Sequence, residues 1–439
     1  MNINRFCVIC VVVFMVFWAA CSTPKTTTAP PAAPATVPAP APPVESKANE
    51  YMVHLFQTQP TLFADIISAR KEKNVQVLYT QVDRGGNGLP RFTHHQFNVN
   101  KDSYFYPAST VKFPVALLAL QKLRELNIPK LDKNTTIIHE SGAPYQTAVF
   151  NDPNSSDGRA TIASYIKKIF LVSDNDAFNR LYEFLGQEYI NAQLHRKGYA
   201  ETQILHRLDI FLSETENRTT NPVRIFDSNR NLLFSQPMLV NRQQYSKRSD
   251  FLGNGYYSGG QLIQKPMDFS KKNRLPLQDL HDMMMALVFP QAVKSGARFG
   301  LTEEDRLFAL KYMSSYPRES VYPFYEQPLY NDAYAKMLLL GNDKGQASPS
   351  VRIFSKSGTA YGQLTETAYI VDFEKKIEFF VTATINCNSD GIYNDDKYDY
   401  VNTGYPFMKN LGMLLYHHEA NRKKAQLPNL EEFKFDYSK

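Results

Sequence analysis

The chain has 439 residues and a formal net charge of +6, from 49 Lys and Arg residues against 43 Asp and Glu residues. The positive charge is spread along the chain without a basic stripe that carries interleaved aromatic residues, which argues against a nucleic-acid-binding protein. Three of the four cysteines lie within the first 21 residues, so Cys387 stands alone in the remainder and a domain without an internal disulfide is expected.

The N-terminal segment predicts export and attachment to a membrane. Arg5 precedes an apolar run that ends at Ala20, which is too short for a comfortable membrane span and is typical of a signal peptide at residues 1–20. The small residues before Cys21 make this segment similar to a bacterial lipoprotein signal, in which the cysteine is lipidated and becomes the mature N-terminus. An uncleaved signal anchor is the alternative. Both place the domain outside the cytoplasm, on the bacterial cell envelope, facing the periplasm or the exterior.

Residues 21–47 are rich in Pro, Ala and Thr and carry almost no large apolar side chains, so they predict an extended tether. A globular domain is expected at residues 48–425, followed by a C-terminal tail at 426–439. This length is large for one domain, and insertions are expected at about 223–266 and 315–350.

Hydrophobic periodicity predicts the helices and strands of this domain. Helical spacing indicates helices at residues 49–71 with a break at Pro60, after Ser109, at 161–172, 176–185, 187–197, 277–288 and 405–422, and after a capping signal at Thr302. Alternation of apolar and polar residues indicates strands at 75–79, 92–99, 351–355, 367–373 and 377–385. This order favours an α/β (α+β) fold with one antiparallel sheet built from both chain ends, covered by terminal helices, and an inserted all-helical lobe.

Ser109 and Lys112 form the first candidate catalytic pair. Ser109 stands at the predicted start of an apolar helix, where backbone N–H groups have no intrahelical partner and can face a developing negative charge. Lys112 lies one turn further on the same face, where a desolvated lysine can take the serine proton. The spacing Ser-x-x-Lys also occurs at Ser22, Ser68 and Ser164, and in isolation such a serine is more often an N-cap.

Two later motifs change this interpretation. Ser173-Asp174-Asn175 interrupts a helical pair and Lys356-Ser357-Gly358 ends a predicted strand, although each alone is typical of a helix cap or a turn. On helix, inter-helix loop and strand, in this order, the three motifs resemble those of the serine β-lactamases and penicillin-binding proteins, and most closely the class A β-lactamases. The resemblance extends over residues 49–423, includes Arg207-Leu208-Asp209, and implies a β-lactamase/transpeptidase-like fold. Lys294-Ser295-Gly296 repeats the third motif but follows a helix, so Lys356 is favoured.

The resemblance implies an acyl-enzyme mechanism. Ser109 would be the nucleophile and Lys112 the base or proton relay. Ser173 and Lys356 would pass a proton to the leaving nitrogen. The backbone N–H groups of Ser109 and Thr359 would form the oxyanion hole.

The resemblance also implies how a substrate is bound. Asn175 would bind its amide, and Lys356 and Ser357 would hold its carboxylate by charge-assisted hydrogen bonds. Gly358 would let the ligand lie along the strand edge.

Two departures from class A enzymes bear on the reaction. Where the resemblance places a water-activating glutamate, three residues after the Asp of Arg-Leu-Asp, this chain has Leu212, and Glu214 is the possible deacylation base. The strand after Lys-Ser-Gly carries Glu366 and Thr367 and no arginine that would support carboxylate binding. We therefore expect acylation by penicillins to outpace hydrolysis.

These observations predict an envelope serine hydrolase that forms an acyl-enzyme at Ser109 with a β-lactam or a peptidoglycan-type amide. The alternatives are a D,D-peptidase or esterase, a non-catalytic penicillin-binding or sensing module, and a scaffold with an inactive site. We expect a monomer with a small-molecule or peptidoglycan-derived substrate, a lipid anchor in the membrane, no nucleic-acid partner and no cofactor. We also expect no metal site, because the histidine pairs at 94–95 and 417–418 lack a third ligand and the acidic residues at 395–399 indicate a solvated loop.

Overall fold

The computed structural model describes residues 47–86 and 89–438; the predicted signal peptide, Cys21 and the tether up to residue 46 lie outside the described residues. Within these ranges the α-helices are α1 Lys47–Gln57, α2 Pro60–Ser68, α3 Lys112–Leu126, α4 Ile162–Val172, α5 Asn175–Leu185, α6 Gln187–Arg196, α7 Glu214–Arg218, α8 Leu277–Val288, α9 Glu303–Ser314 and α10 Tyr405–Asn421. The strands are β1 Gln76–Arg84, β2 Pro90–Phe97, β3 Thr136–His139, β4 Thr219–Thr220, β5 Val223–Phe226, β6 Leu232–Gln236, β7 Leu239–Val240, β8 Phe251–Leu252, β9 Gly255–Ser258, β10 Gln261–Ile263, β11 Met267–Asp268, β12 Val351–Ala360, β13 Gln363–Asp372, β14 Ile377–Asn386 and β15 Ile392–Tyr393. None of these helices is long and apolar enough to cross a membrane.

The helix boundaries follow the signals in the sequence. Pro60 separates α1 from α2 and occupies the first helical position, where its missing N–H costs no hydrogen bond. Thr161 and Thr302 cap α4 and α9 through side-chain oxygens that accept backbone N–H groups. The helices predicted around these residues are confirmed.

One five-stranded sheet joins the two ends of the chain. Its strand order is β12-β13-β14-β1-β2, and every neighbouring pair is antiparallel. β1 from the N-terminal part pairs directly with β14, so that Val77 lies opposite Ala383. β13 is buried along its whole length because both faces of the sheet are covered. The predicted antiparallel sheet built from both chain ends is confirmed.

Two apolar cores lie on opposite faces of this sheet, since successive side chains of a strand point to opposite faces. From β13, Ala368 and Ile370 join the core that contains side chains of α1, α2 and α10, and Cys387 lies there as a free thiol. Tyr369 and Val371 join the other core, with side chains of α3, α4, α5 and α8. This second core positions the candidate site, because α3 is buried along most of its length.

The sequence predicted that the region between the two halves of the sheet is all-helical, and this prediction is wrong. The region holds α3 to α9, but β3, β5 and β6 form a small antiparallel sheet. β4 to β11 are two to five residues long, which is too short to show a clear alternation in the sequence. Residues 321–350, within the second predicted insertion, form turns without a described helix or strand.

The C-terminal residues belong to the domain and do not form the tail predicted at 426–439. Leu430 and Phe433 are fully buried. The Phe433 ring packs against those of Phe289, Phe354 and Tyr369, with centroids 5.9, 5.7 and 5.0 Å away. The prediction failed because two buried side chains in a short irregular segment leave no periodic signal.

Candidate active site

Ser109 lies on a 3₁₀ turn, Ala108–Val111, that leads directly into α3. Val111, not Ser109, is the N-cap of α3, so the alternative interpretation of Ser109 as an N-cap serine is wrong. Ala108, the preceding residue, has a φ of 46°, in the left-handed region that residues with a side chain rarely adopt. Such strain costs about 1–3 kcal/mol and clusters at functional sites.

Lys112 distinguishes Ser109 from Ser68 and Ser164, the two other Ser-x-x-Lys serines within the described residues. Its Nζ donates to Ser109 Oγ at 2.9 Å, to Asn175 Oδ1 at 2.6 Å and to the carbonyl oxygen of Ser173. In contrast, Ser68 donates to the Asp65 carbonyl and Ser164 belongs to the capping box of α4.

The environment of Lys112 makes it a base near neutral pH. Its side chain is fully buried, and burial lowers the pKa of Lys112 to about 7, although Asp174 and Asp209 act in the opposite direction. A lysine with this pKa can accept the proton of Ser109 when the hydroxyl attacks a carbonyl carbon.

Ser173 connects Lys112 to a second lysine. It follows the last residue of α4 in a left-handed conformation with a φ of 60°. Its Oγ accepts hydrogen bonds from Lys356 Nζ at 2.9 Å and from Lys112 Nζ at 3.2 Å. Burial and the nearby Lys112 hold the pKa of Lys356 well below its usual range. The predicted catalytic residues Ser109, Lys112, Ser173 and Lys356 therefore form one continuous hydrogen-bonded chain.

Gly358 allows the turn that carries Ser109 to pack against β12. A Cβ atom added at Gly358 would lie 2.7 Å from the amide nitrogen of Ser109 and 2.8 Å from the carbonyl oxygen of Pro107. The Cβ position of Gly358 is thus occupied by the backbone of this turn, so a side chain here would clash with it. The placement of a ligand along this strand edge stays a prediction. This close approach brings the Ser109 amide next to the strand that carries Thr359, the other predicted oxyanion donor, and both residues line the same cavity.

Ser357 does not face the site. Its Oγ donates to the carbonyl oxygen of Ala335 at 2.8 Å, and the residue is 3% exposed. Side chains alternate along a strand, so Ser357 points away from the face of β12 on which Lys356 reaches Ser173. The predicted contact of Ser357 with a substrate carboxylate is therefore not available in this arrangement.

Asn175 and Asp209 form a contact that the sequence reasoning missed. Asn175 starts α5 and accepts from Lys112 through Oδ1, while its Nδ2 donates to Asp209 Oδ2 at 3.2 Å. The side-chain amide predicted to bind substrate thus already bridges the lysine and a carboxylate. Asp209 belongs to the Arg-Leu-Asp triplet, and its left-handed φ of 55° was the property that the sequence could not reveal.

The loop that presents Asp209 is closed by Arg207 and Asn217. The Arg207 amide donates to Asn217 Oδ1 at 2.9 Å, and Asn217 Nδ2 donates to the Leu212 carbonyl at 3.1 Å. Arg207 Nε also donates to the buried Glu183 at 3.2 Å. The first two bonds close the segment between residues 207 and 217 on itself, and the third attaches it to α5. The segment and Ser109 line the same cavity.

Glu214, which the sequence indicated as a deacylation base, is engaged by two cations. It starts the short helix α7 and pairs with Lys271 at 2.8 Å and with Arg218 at 3.1 Å. Hydrogen bonding to these two cations lowers the pKa of the Glu214 carboxyl. Glu216 forms the capping box of the same helix with Ser213: the side chain of each residue accepts the backbone N–H of the other. An exposed, ion-paired carboxylate of low basicity is a poor general base.

A cavity of about 1340 Å³ opens beside Ser109. Its walls come from β12, from the loop at residues 207–218 and from the inserted segment that ends near Lys272, and they include Tyr106, Ser109, Asn175, Asp209, Lys272, Thr359 and Tyr361. The volume exceeds that of typical sites for drug-sized ligands. Lys294, from the duplicated Lys-Ser-Gly triplet, is exposed at a 3₁₀ turn after α8 and takes no part in this cavity.

Comparison with known proteins assigns the family. A model of the β-lactamase enzyme family matches residues 62–399, which is more than half of the chain. The chain belongs to the β-lactamase enzyme family. No curated protein sequence matches this family member. Among the described residues, no group of three or more His, Cys, Asp or Glu side chains is arranged to hold a metal ion.

Solved structures similar to this β-lactamase family member include a β-lactamase from Xanthomonas campestris, an ancestral class A β-lactamase and a class A β-lactamase from Clostridium kluyveri. Their sequence identities are 12%, 14% and 13%, and their TM-scores are 0.45, 0.43 and 0.41. The alignments cover 81%, 85% and 80% of this chain and 97%, 100% and 98% of those chains. Because these TM-scores are low, the assignment rests on the family match.

Proposed function

We propose that this protein hydrolyses a β-lactam or a peptidoglycan-type amide through an acyl-enzyme at Ser109. The observation that carries the proposal is the 2.9 Å hydrogen bond from a fully buried lysine, Lys112, to the Ser109 hydroxyl. A serine is a weak nucleophile at neutral pH unless a positioned base takes its proton. The family match supports the same class of reaction.

In the acylation step, neutral Lys112 takes the Ser109 proton while Oγ forms a bond to the substrate carbonyl carbon. The backbone N–H groups of Ser109 and Thr359 stabilise the oxyanion. The carbon–nitrogen bond then breaks, and the leaving nitrogen receives a proton from the Ser173 hydroxyl. Ser173 recovers its proton from one of the two lysines that donate to it.

In the deacylation step, Asp209 takes a proton from water while the water oxygen forms a bond to the acyl carbon. The Ser109 Oγ–carbon bond then breaks and Oγ regains a proton, which returns Asp209 to its carboxylate form and releases the acid product. Asp209 and Glu214 both line the cavity with Ser109. Asp209 is hydrogen-bonded to Asn175, whereas Glu214 is ion-paired with Lys271 and Arg218. This assignment replaces Glu214 as the candidate base. The sequence analysis expected acylation to outpace hydrolysis, because Leu212 stands where the resemblance places a water-activating glutamate. With Asp209 as the base, we propose instead that the acyl-enzyme is hydrolysed.

A D,D-peptidase or esterase activity on the same residues is the second candidate. The cavity of about 1340 Å³ favours it, because a penicillin would fill a small part of this volume. Cleavage of acyl-peptide or ester substrates faster than turnover of a penicillin would select this candidate.

Intact mass spectrometry over time tests the proposal. The protein is incubated with benzylpenicillin, or with its methyl ester, and an adduct on Ser109 that forms and then disappears is expected. Ser109→Ala should abolish the adduct, and the matched variants Ser68→Ala and Ser164→Ala should retain it. An adduct that never disappears would indicate a penicillin-binding or sensing module, and no adduct from either compound would indicate an inactive scaffold.

We also propose that the protein acts as a monomer on the bacterial cell envelope, anchored by a lipid on Cys21. The apolar run before Cys21 and the Pro-, Ala- and Thr-rich tether at residues 21–47 support this location. Expression of Cys21→Ser in a bacterium should move the protein from the membrane fraction to the soluble fraction. Continued membrane association of that variant would favour an uncleaved signal anchor.

A further inference from the structure

Ser357 lies on the side of β12 that the protein closes with its own backbone. Its hydroxyl donates to the Ala335 carbonyl, and both Ser357 and Lys356 are almost fully buried, at 3% and 1% exposure. Among the described residues, the cavity wall includes Thr359 and Ala360 from this strand and Tyr361 directly after it, but neither Lys356 nor Ser357. A substrate in the cavity therefore has no free hydroxyl to bind at Ser357.

The segment Ala335–Leu338, which closes this side, is held in place by several independent contacts. Glu366, directly opposite Ser357 on β13, accepts the backbone N–H groups of Met337 at 2.8 Å and Leu338 at 2.7 Å. Lys336 is buried beside Glu366 and donates to the Ile353 carbonyl at 2.9 Å. A peptide segment with this many satisfied polar groups is costly to displace.

Lys356 has little left to offer an anionic group. Its Nζ already donates to Ser173 Oγ at 2.9 Å and to the Ser357 carbonyl at 2.6 Å. Burial and Lys112 also hold the pKa of Lys356 well below its usual range, which reduces its positive charge.

We infer that this protein acylates Ser109 preferentially with acyl donors that carry no free carboxylate next to the scissile bond, because Ala335–Leu338 fills the place that would receive one. The inference rests on the proposed acyl-enzyme function and specifies its substrate class. It favours esters and internal amides over β-lactams with a free acid and over peptides cleaved next to their C-terminus. Acylation itself is unchanged: the Ser109 Oγ–carbon bond forms, the carbon–nitrogen or carbon–oxygen bond breaks, and the leaving atom receives the serine proton.

Benzylpenicillin and its methyl ester form a matched pair for the test, since they differ only in the carboxylate. The second-order rate constant for adduct formation on Ser109 is measured for both by intact mass and normalised to the hydrolysis of each compound in buffer. We expect an acid-to-ester ratio of 1 or lower. A site that holds the carboxylate by a charge-assisted hydrogen bond would favour the acid by about 10- to 100-fold, so a ratio significantly above 1 would overturn the inference.

The variant Ser357→Ala distinguishes a structural hydroxyl from a substrate ligand. Ser355, two residues earlier on the same face of β12 and also buried, supplies the matched control Ser355→Ala. Both variants should leave the acid-to-ester ratio unchanged, even if they lower the rate constants for the acid and the ester by the same factor. A selective loss of the acid reaction in Ser357→Ala alone would overturn the inference. No adduct from either compound on the folded wild-type protein would instead refute the proposed function.

Discussion

Replacement of Asp209 by Asn tests the assignment of the deacylation base. Asn has nearly the same shape, and its side-chain oxygen can still accept from Asn175 Nδ2, which lies 3.2 Å from Asp209 Oδ2. The carboxylate that would take the proton from water is lost. A general base contributes about 10²–10⁴-fold, which corresponds to about 2.7–5.5 kcal/mol of activation free energy. Deacylation should slow by this factor.

Acylation should be spared in the same variant. Asp209 is one of two carboxylates that raise the pKa of Lys112 against the effect of burial. Without this charge Lys112 is neutral at lower pH, so its function as a base toward Ser109 is maintained or improved. The acyl-enzyme should therefore accumulate in Asp209→Asn while it remains transient in the wild-type protein.

The assay follows the acyl adduct by intact mass after free compound is removed by rapid desalting, with benzylpenicillin methyl ester as acyl donor. Glu214→Gln is the control, because Glu214 is exposed and paired with Lys271 and Arg218, and its adduct should decay at the wild-type rate. The reasoning is refuted if Asp209→Asn deacylates as fast as wild type, or if Glu214→Gln traps the adduct.

Three further changes test other parts of the site. The acylation rate should rise as the pH increases through about 7 and then level off, because the pKa of Lys112 is lowered to about 7 and its neutral form is the base. An acylation rate that stays constant between about pH 5 and 9, a range centred on that pKa, would contradict this. Gly358→Ala should reduce Ser109 labelling and destabilise the fold by about 1–3 kcal/mol in denaturant unfolding, because its Cβ would lie 2.7 Å from the Ser109 amide nitrogen; unchanged labelling would disprove the tight packing. Lys356→Ala should lower the acylation rate by orders of magnitude. Lys294→Ala should leave acylation unchanged and should change the free energy of unfolding by no more than about 0.5 kcal/mol. Loss of acylation in Lys294→Ala but not in Lys356→Ala would show that the third motif is the triplet at residues 294–296.

Local sequence patterns were sufficient for most of the regular structure. The alternation in β12, β13 and β14 and the helical spacing in α4, α8 and α10 each depend on neighbours within one element. Short strands such as β3 and β5 were missed because four residues carry too little periodicity. Phe433 was assigned to a tail because its burial depends on Phe289 and Tyr369, which are remote in sequence.

The sequence by itself determined the pair Ser109 and Lys112, since residues one helical turn apart must be neighbours on the same face. It also indicated Ser173 and Lys356 through the order of their motifs. Only the tertiary structure decided that Asp209, and not Glu214, reaches Asn175, and that Ser357 turns toward Ala335. These outcomes depend on a left-handed φ at Asp209 and on contacts between segments distant along the chain, and neither is encoded in the spacing of residues within one element.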